Sequence, residues 1–286
     1  MFPPMPTPFT DGEVDVDAIR RNVRRFIASG LGGVVALGTN GEAPMIDDAE
    51  SVRVVEAARA EIPSDRVLIA GAGRESTRAT IAAAQRAAAA GADAVLVRTP
   101  SFYRAHVGVP ALLAHYTAVA DASPVPVLLY NYAAFTGINL SPETVGRLAA
   151  HPNIVGMKET STDAAQFAEL GAVVPEGFTV LCGSAPGVYA ALCASARGAI
   201  LAVSCIRPAL CLELFAHVQA GRYREALACQ QRLTPLARAV TTGFGIAGLK
   251  QAMTLSGLDG GDPRAPLMPL NPDAIDKLRT LLDDTP

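Results

Sequence analysis

Short β-branched runs alternate with longer helical patterns along nearly the whole chain, at intervals of about 25 to 30 residues, and that rhythm constrains the fold more than any other feature. Such alternation is the signature of βαβ units and a parallel sheet. Eight strands are expected, at residues 5–9, 33–37, 67–70, 94–97, 127–130, 153–160, 179–181 and 198–203. Helices are expected after them over 17–29, 47–61, from 76, over 109–122, from 141, and over 163–173, 186–196 and 208–220. Ser76 is a fitting N-cap, and Ser141-Pro142 sets a capping hydroxyl before a proline that suits a first helical turn. Eight strand–helix pairs close as a (β/α)8 TIM barrel, an α/β fold of about 250 residues. What remains reads as helices over 222–240, 245–256 and 272–282. The expected organisation is therefore a barrel, 1–221, that carries the active site, and a helical extension, 222–286, packed on it.

Composition removes several classes of function. Half of the 286 residues are hydrophobic, there is no Trp and aromatics make up 5%, so the core must be large and aliphatic. The net charge of −3 is spread through the chain, which argues against nucleic acid or an anionic membrane as partner. Five cysteines, Cys182, Cys193, Cys205, Cys211 and Cys229, are odd in number and form no C-x-x-C pair. They read as reduced thiols of a cytoplasmic protein. The N-terminus lacks the basic and apolar regions of a signal peptide, and no apolar run is long enough for a membrane span. A dinucleotide site is not expected, because Gly71-Ala72-Gly73 lacks the third glycine that the fingerprint needs at 76.

The chemistry is concentrated around a lysine. Of 24 basic residues only Lys158, Lys250 and Lys277 are lysines, and Lys158 ends the apolar run Ile154-Val155-Gly156-Met157. Arginine cannot shed its proton in a protein, whereas a desolvated lysine amine can act as a nucleophile toward carbonyls. In a barrel the active site forms at the carboxyl ends of the strands. Applied here, that rule collects Lys158, Tyr130 at the end of the fifth strand, Gly38-Thr39-Asn40-Gly41 after the second, and Phe102-Tyr103 after the fourth. The set holds an amine, phenols, a hydroxyl and a carboxamide, and no acidic pair. His106, His115, His151 and His217 lie without ligand spacing and are read as non-catalytic.

Such a set suits Schiff-base chemistry on a 2-oxo acid. The amine forms an iminium, which draws electrons from the neighbouring carbon so that a C–C bond there can break or form. Tyr130 is then the natural proton shuttle and Thr39 a relay, while small polar groups and backbone N–H groups of the 38–41 loop suit a carboxylate. Each residue also has a structural reading: Lys158 in an ion pair with Glu159, Tyr130 as a core-edge phenol, Thr39-Asn40 as an ordinary turn. A non-catalytic barrel that binds a 2-oxo acid as a regulator is the alternative from another class.

Gly38-Thr39-Asn40-Gly41-Glu42, Leu129-Tyr130-Asn131 and Gly156-Met157-Lys158, in that order and spacing, resemble the dihydrodipicolinate synthase / N-acetylneuraminate lyase family of class I aldolases. The resemblance implies a (β/α)8 barrel with a helical extension, usually a homodimer or homotetramer, with neither metal nor organic cofactor. It implies an imine between Lys158 and pyruvate or a pyruvoyl substrate, with Tyr130 as shuttle, Thr39 as relay, and Tyr103 reaching into a neighbouring subunit's site. Gly38, Thr39, Asn40, Thr160 and Ile200 form the expected substrate-binding set. Within the family, dihydrodipicolinate synthases usually carry an Arg shortly after the Tyr-Asn motif, where this chain has Phe135. Thr99–Arg104, His151–Lys158, Phe244–Lys250 and Arg264–Leu267 look instead like 4-hydroxy-2-oxoglutarate aldolase. Other pyruvate-dependent lyases, synthases and hydratase-aldolases remain alternatives. Three residues depart at positions expected to touch the pocket: Thr39 where that branch tends to have Ser, Asn131 where it can have Ser, and Cys205 where family members often carry Asn.

Overall fold

The computed structural model describes residues 1–285. It divides into two compact units, one of residues 1–68 with 200–286, the other of residues 69–199.

The unit of residues 69–199 is built from parallel strands that pair in chain order. It takes in the end of β4 (Val67–Gly71), then β5 (Ala94–Arg98), β6 (Val127–Asn131), β7 (Ile154–Glu159), β8 (Thr179–Cys182) and β9 (Gly198–Ala199). Helices α3 (Thr77–Ala89), α4 (Val109–Ala122), α6 (Pro142–Leu148), α7 (Ala164–Val173) and α8 (Val188–Ala194) follow the strands, and a short α5 (Ala133–Thr136) precedes α6. The strands are apolar because helices cover the sheet: β6 is buried at every position, and Val95, Leu96 and Val97 are closed off on β5. Two helix starts, at Ser76 and Ser141, follow the expected capping chemistry, and Asp163 adds a third cap of the same kind. The side chains of Ser76, Ser141 and Asp163 accept N-terminal amide protons of α3, α6 and α7. Register is the property that matters for chemistry. Arg98 pairs with Tyr130, Tyr130 with Lys158, and Lys158 with Leu181.

The other unit holds a hairpin of β1 (Phe9–Thr10) and β2 (Glu13–Val14), then α1 (Val16–Ala28), β3 (Gly33–Ala36) and α2 (Asp48–Arg59). After residue 200 come a 3-10 turn at Ala202–Cys205 and the helices α9 (Pro208–Gln219), α10 (Tyr223–Arg238), α11 (Gly245–Leu255) and α12 (Pro272–Asp283). A five-residue π turn, Ala239–Gly243, joins α10 to α11. Among the described residues no helix is long and apolar enough to cross a membrane.

Two strands depart from the sequence-based expectation. Pairing at the N-terminus is centred on Phe2 and Pro4, which bridge in parallel to Ile200 and Val35, and of residues 5–9 only Met5 joins it, donating from its amide to Val35 O. Pro3, Pro4 and Pro6 have no N–H to give a ladder, so only isolated bridges form there, and Phe9–Thr10 turns into the hairpin instead. The last strand stops at Ala199, short of the expected 203. Beyond it Ser204 donates from its amide and its hydroxyl to Leu201 O, which folds the segment into the 3-10 turn.

Candidate active site

Because Tyr130 and Lys158 are register partners on neighbouring parallel strands, their side chains emerge on the same face of the sheet. Lys158 Nζ donates to Tyr130 Oη at 3.2 Å and lies 4.4 Å from the centroid of the phenol ring. The pair is shut away from solvent, Lys158 at 5% exposure and Tyr130 at 4%. The next pair along the strands, Asn131 and Glu159, points to the opposite face. Glu159 accepts from Asn131 Nδ2 and Gln166 Nε2, each at 2.7 Å, and Asn131 Oδ1 accepts from Leu140 N at 3.0 Å. Burial pushes the Glu159 carboxyl up against the lowering effect of those two amides. Glu159 is therefore no ion-pair partner of Lys158, and Asn131 braces two strand ends without bordering the pocket. The alternation of side chains along a strand separates the two roles.

Gly183, immediately after β8, shapes the space beside the lysine. A Cβ on it would lie 2.1 Å from Thr160 Oγ1 and 2.8 Å from Lys158 Cε, so only glycine leaves the two side chains their places. Thr160 Oγ1 is buried there and has no hydrogen-bond partner among the described residues. Cys182 beside it donates to Ser184 O, and burial pushes its thiol up to about 12, so it takes no part as a thiolate. The sequence reading missed Gly183. Its one signal was a glycine directly after a strand, at the end where barrel sites form.

Outward from the pair runs a stack of aromatic rings. Tyr130 and Tyr132 have centroids 6.1 Å apart, and Tyr132 and Phe135 4.3 Å apart with planes inclined by 18°. Burial, and then the neighbouring Tyr130, hold the Tyr132 phenol above the usual tyrosine range. Phe135 is exposed, and Arg104 lies against Gly137 on the same segment. Tyr103 is 68% exposed on the loop after β5, its ring edge-on to Phe102. That loop is pinned by Glu75, whose carboxylate accepts from the Ser101 and Phe102 amides and pairs with Arg98.

The remaining expected residues belong to the other unit. Gly38, Thr39 and Asn40 occupy a tight loop after β3, closed by bonds from Gly41 N to Gly38 O and from Glu42 N to Thr39 O, both 3.1 Å. Thr7 Oγ1 donates to Gly41 O at 2.8 Å. Ile200, just past β9, is buried and bridges to Phe2, while Cys205 is buried with its Sγ toward Pro4 O. Among the described residues one cluster, Glu213, His217 and Cys229, brings possible metal ligands within 4.8 Å of one another. Arg222 Nε donates to His217 Nδ1 at 2.9 Å, which leaves a neutral ring's proton on Nε2, the atom facing Glu213. A protonated nitrogen does not ligate, so the cluster does not fit a metal. The other imidazoles are spoken for in part: His115 by Thr77 at 2.9 Å and His151 by Asp121 at 3.0 Å.

Known proteins share this architecture over its full length. The chain is 36% identical over 282 residues to a 4-hydroxy-tetrahydrodipicolinate synthase of Exiguobacterium sp., covering 97% of this chain and 94% of that protein. Among solved structures, the dihydrodipicolinate synthase DapA-2 of Bacillus anthracis superposes with a TM-score of 0.96 at 27% identity, covering 100% of this chain and 97% of that one. YagE, a prophage protein of the dihydrodipicolinic acid synthase family from E. coli K12 solved in complex with pyruvate, does so with a TM-score of 0.93 at 28% identity, covering 99% and 97%. The fold is thus the expected (β/α)8 barrel with C-terminal helices, and the protein is a class I aldolase or synthase of the kind that makes or breaks C–C bonds through a Schiff-base lysine. With its sequence matching from residue 1 to residue 285, this chain belongs to the dihydrodipicolinate synthetase family.

Proposed function

We propose that Lys158 is the Schiff-base lysine and that the reaction is cleavage of 4-hydroxy-2-oxoglutarate to pyruvate and glyoxylate. The observation that carries this reading is the buried contact of 3.2 Å between Lys158 Nζ and Tyr130 Oη. The amine lone pair attacks C2 of the substrate, and water leaves to give the iminium. The C3–C4 bond then breaks, its electron pair entering the iminium to form an enamine while the C4 hydroxyl surrenders its proton through Tyr130. Glyoxylate departs as the aldehyde. Protonation at C3 and addition of water return the free amine and release pyruvate. Thr39 relays protons, Gly38 and Asn40 receive the carboxylate, Thr160 offers its unpartnered hydroxyl to the substrate, and Ile200 lines the pocket. Tyr103, exposed on its loop, serves a second copy in a homodimer or homotetramer. Residues 1–221 supply the barrel and 222–286 the extension, in a cytoplasmic enzyme.

The names of the relatives favour a second reading, synthesis of 4-hydroxy-tetrahydrodipicolinate by a synthase-type condensation. Phe135 speaks against it, because an exposed apolar ring stacked on Tyr132 offers nothing to a second carboxylate. Two measurements decide. Pyruvate with borohydride should add one reduced pyruvyl group at Lys158, and full activity with Lys158 unmodified would remove the mechanism. A panel of 2-oxo acids, read by pyruvate release, should show 4-hydroxy-2-oxoglutarate turned over fastest; condensation outpacing every cleavage would establish the synthase instead.

A further inference from the structure

Lys250 is wholly buried, in a chain that uses arginine for nearly all its positive charge, and the proposed chemistry makes no use of it. Its Nζ lies 2.6 Å from Glu42 Oε1, as an ion pair and not an aligned hydrogen bond. It also donates to Asp262 O at 2.8 Å and sits 4.4 Å from the Phe9 ring centroid. Desolvation lowers the pKa of this amine, and the Glu42 carboxylate opposes the shift. With a carboxylate, a carbonyl and an aromatic face around it, the group is a held cation rather than a second nucleophile.

What it holds is the end of the loop after β3. Leu37 (φ 54°) and Glu42 (φ 57°) both stand in the left-handed region, where side-chain-bearing residues are uncommon, and both are buried. They bracket Gly38, Thr39, Asn40 and Gly41. Gly41 packs so closely that a Cβ would lie 3.0 Å from Leu37 N and 3.2 Å from Met5 O. A conformation of this kind persists only where the surroundings over-determine it. Here the surroundings are the two oxygens of Glu42, one against Lys250, the other accepting from Arg264 N at 2.8 Å. Arg264 is itself fixed by Glu50 and lies 4.2 Å from the opposite partner of Lys250, the ring of Phe9.

We infer that the Lys250–Glu42 pair is the positioning element of the 38–41 loop and sets affinity for the carboxylate of the 2-oxo acid without touching substrate. The inference rests on the reading that this loop receives that carboxylate. A purely structural pair would change thermal stability and leave substrate affinity alone.

The test is borohydride trapping of pyruvate on Lys158, titrated against pyruvate, together with steady-state cleavage. The variants are Glu42→Gln, which keeps the shape of the side chain, and Lys250→Met combined with Glu42→Leu, which removes both charges and so leaves neither stranded. In each, half-saturating pyruvate and KM are expected to rise roughly tenfold or more while the labelling of Lys158 at saturation holds, and kcat falls by less than KM rises because the relay Thr39 rides on the same loop. Glu42→Asp, which keeps the charge, should fall between them and the wild type. Wild-type half-saturation in the doubly substituted protein would overturn the proposal, as would a loss confined to kcat. Absence of any label on the wild-type protein would overturn the Schiff-base reading itself, and the positioning role with it.

Discussion

Tyr130 and Lys158 are cross-strand register partners whose polar tips meet at 3.2 Å inside the protein. Parallel pairing makes this geometry insensitive to loop motion, because both side chains leave from strand ends and not from connecting segments. Replacing the phenol while keeping the ring, Tyr130→Phe, is expected to lower kcat by ~10²–10⁴, the usual worth of a general acid–base. Single-turnover trapping should show slower imine formation at Lys158 with the final stoichiometry intact. An unchanged turnover would retire the shuttle.

Gly183→Ala is expected to damage chemistry far more than folding. The added methyl would overlap Thr160 Oγ1 and press on Lys158 Cε, both side chains and not backbone, so the chain yields by displacing them. A displacement on the order of an ångström at reacting groups costs ~10²-fold in rate. Comparing kcat/KM with the thermal midpoint checks this, and a fully active variant would show the pocket to be roomier than drawn.

Phe135→Arg tests the choice of second substrate. A guanidinium at this position, on the same short helix that stacks against Tyr132, should favour partners with an additional carboxylate. The ratio of synthase-type condensation to cleavage is expected to rise by about tenfold, equivalent to about 1.4 kcal/mol. A ratio that stays put would mean that the stack does not border the second substrate.

Glu50 makes the fold acid-sensitive in a definite direction. Its carboxylate takes both arms of Arg264, at 2.6 and 2.7 Å, and that hydrogen bonding holds its pKa below the ordinary value of 4.5 against the opposing effect of burial. A group whose pKa is depressed on folding stabilises the native state above the unfolded pKa, and the contribution fades as pH falls through the folded value. The loss therefore belongs below about pH 4.5. Glu50→Gln should cost about 1.5–3 kcal/mol at neutral pH and flatten the acid limb of urea-derived stability. Equal slopes for variant and wild type would exclude this pair as a source of acid sensitivity.

Fold class was written in the chain itself. The βα rhythm, the caps at Ser76 and Ser141, and the apolar strand β6 are local or periodic properties, and a one-dimensional pattern records them faithfully. Lys158 and Tyr130 could be named for the same reason, since a strand end is a position in the sequence. Three features were legible only after the chain had folded. The partners of Asn131 and Glu159 depend on which face each strand turns inward, and that follows from register with a neighbouring strand. The role of Gly183 depends on two side chains that approach it, Lys158 from β7 and Thr160 from the position just after that strand. The Lys250–Glu42 pair joins residues far apart in the chain, and nothing near either one in sequence announces the other. Local propensity sets what each segment becomes, whereas contacts between distant residues exist only once packing has chosen among the many pairs that composition would allow.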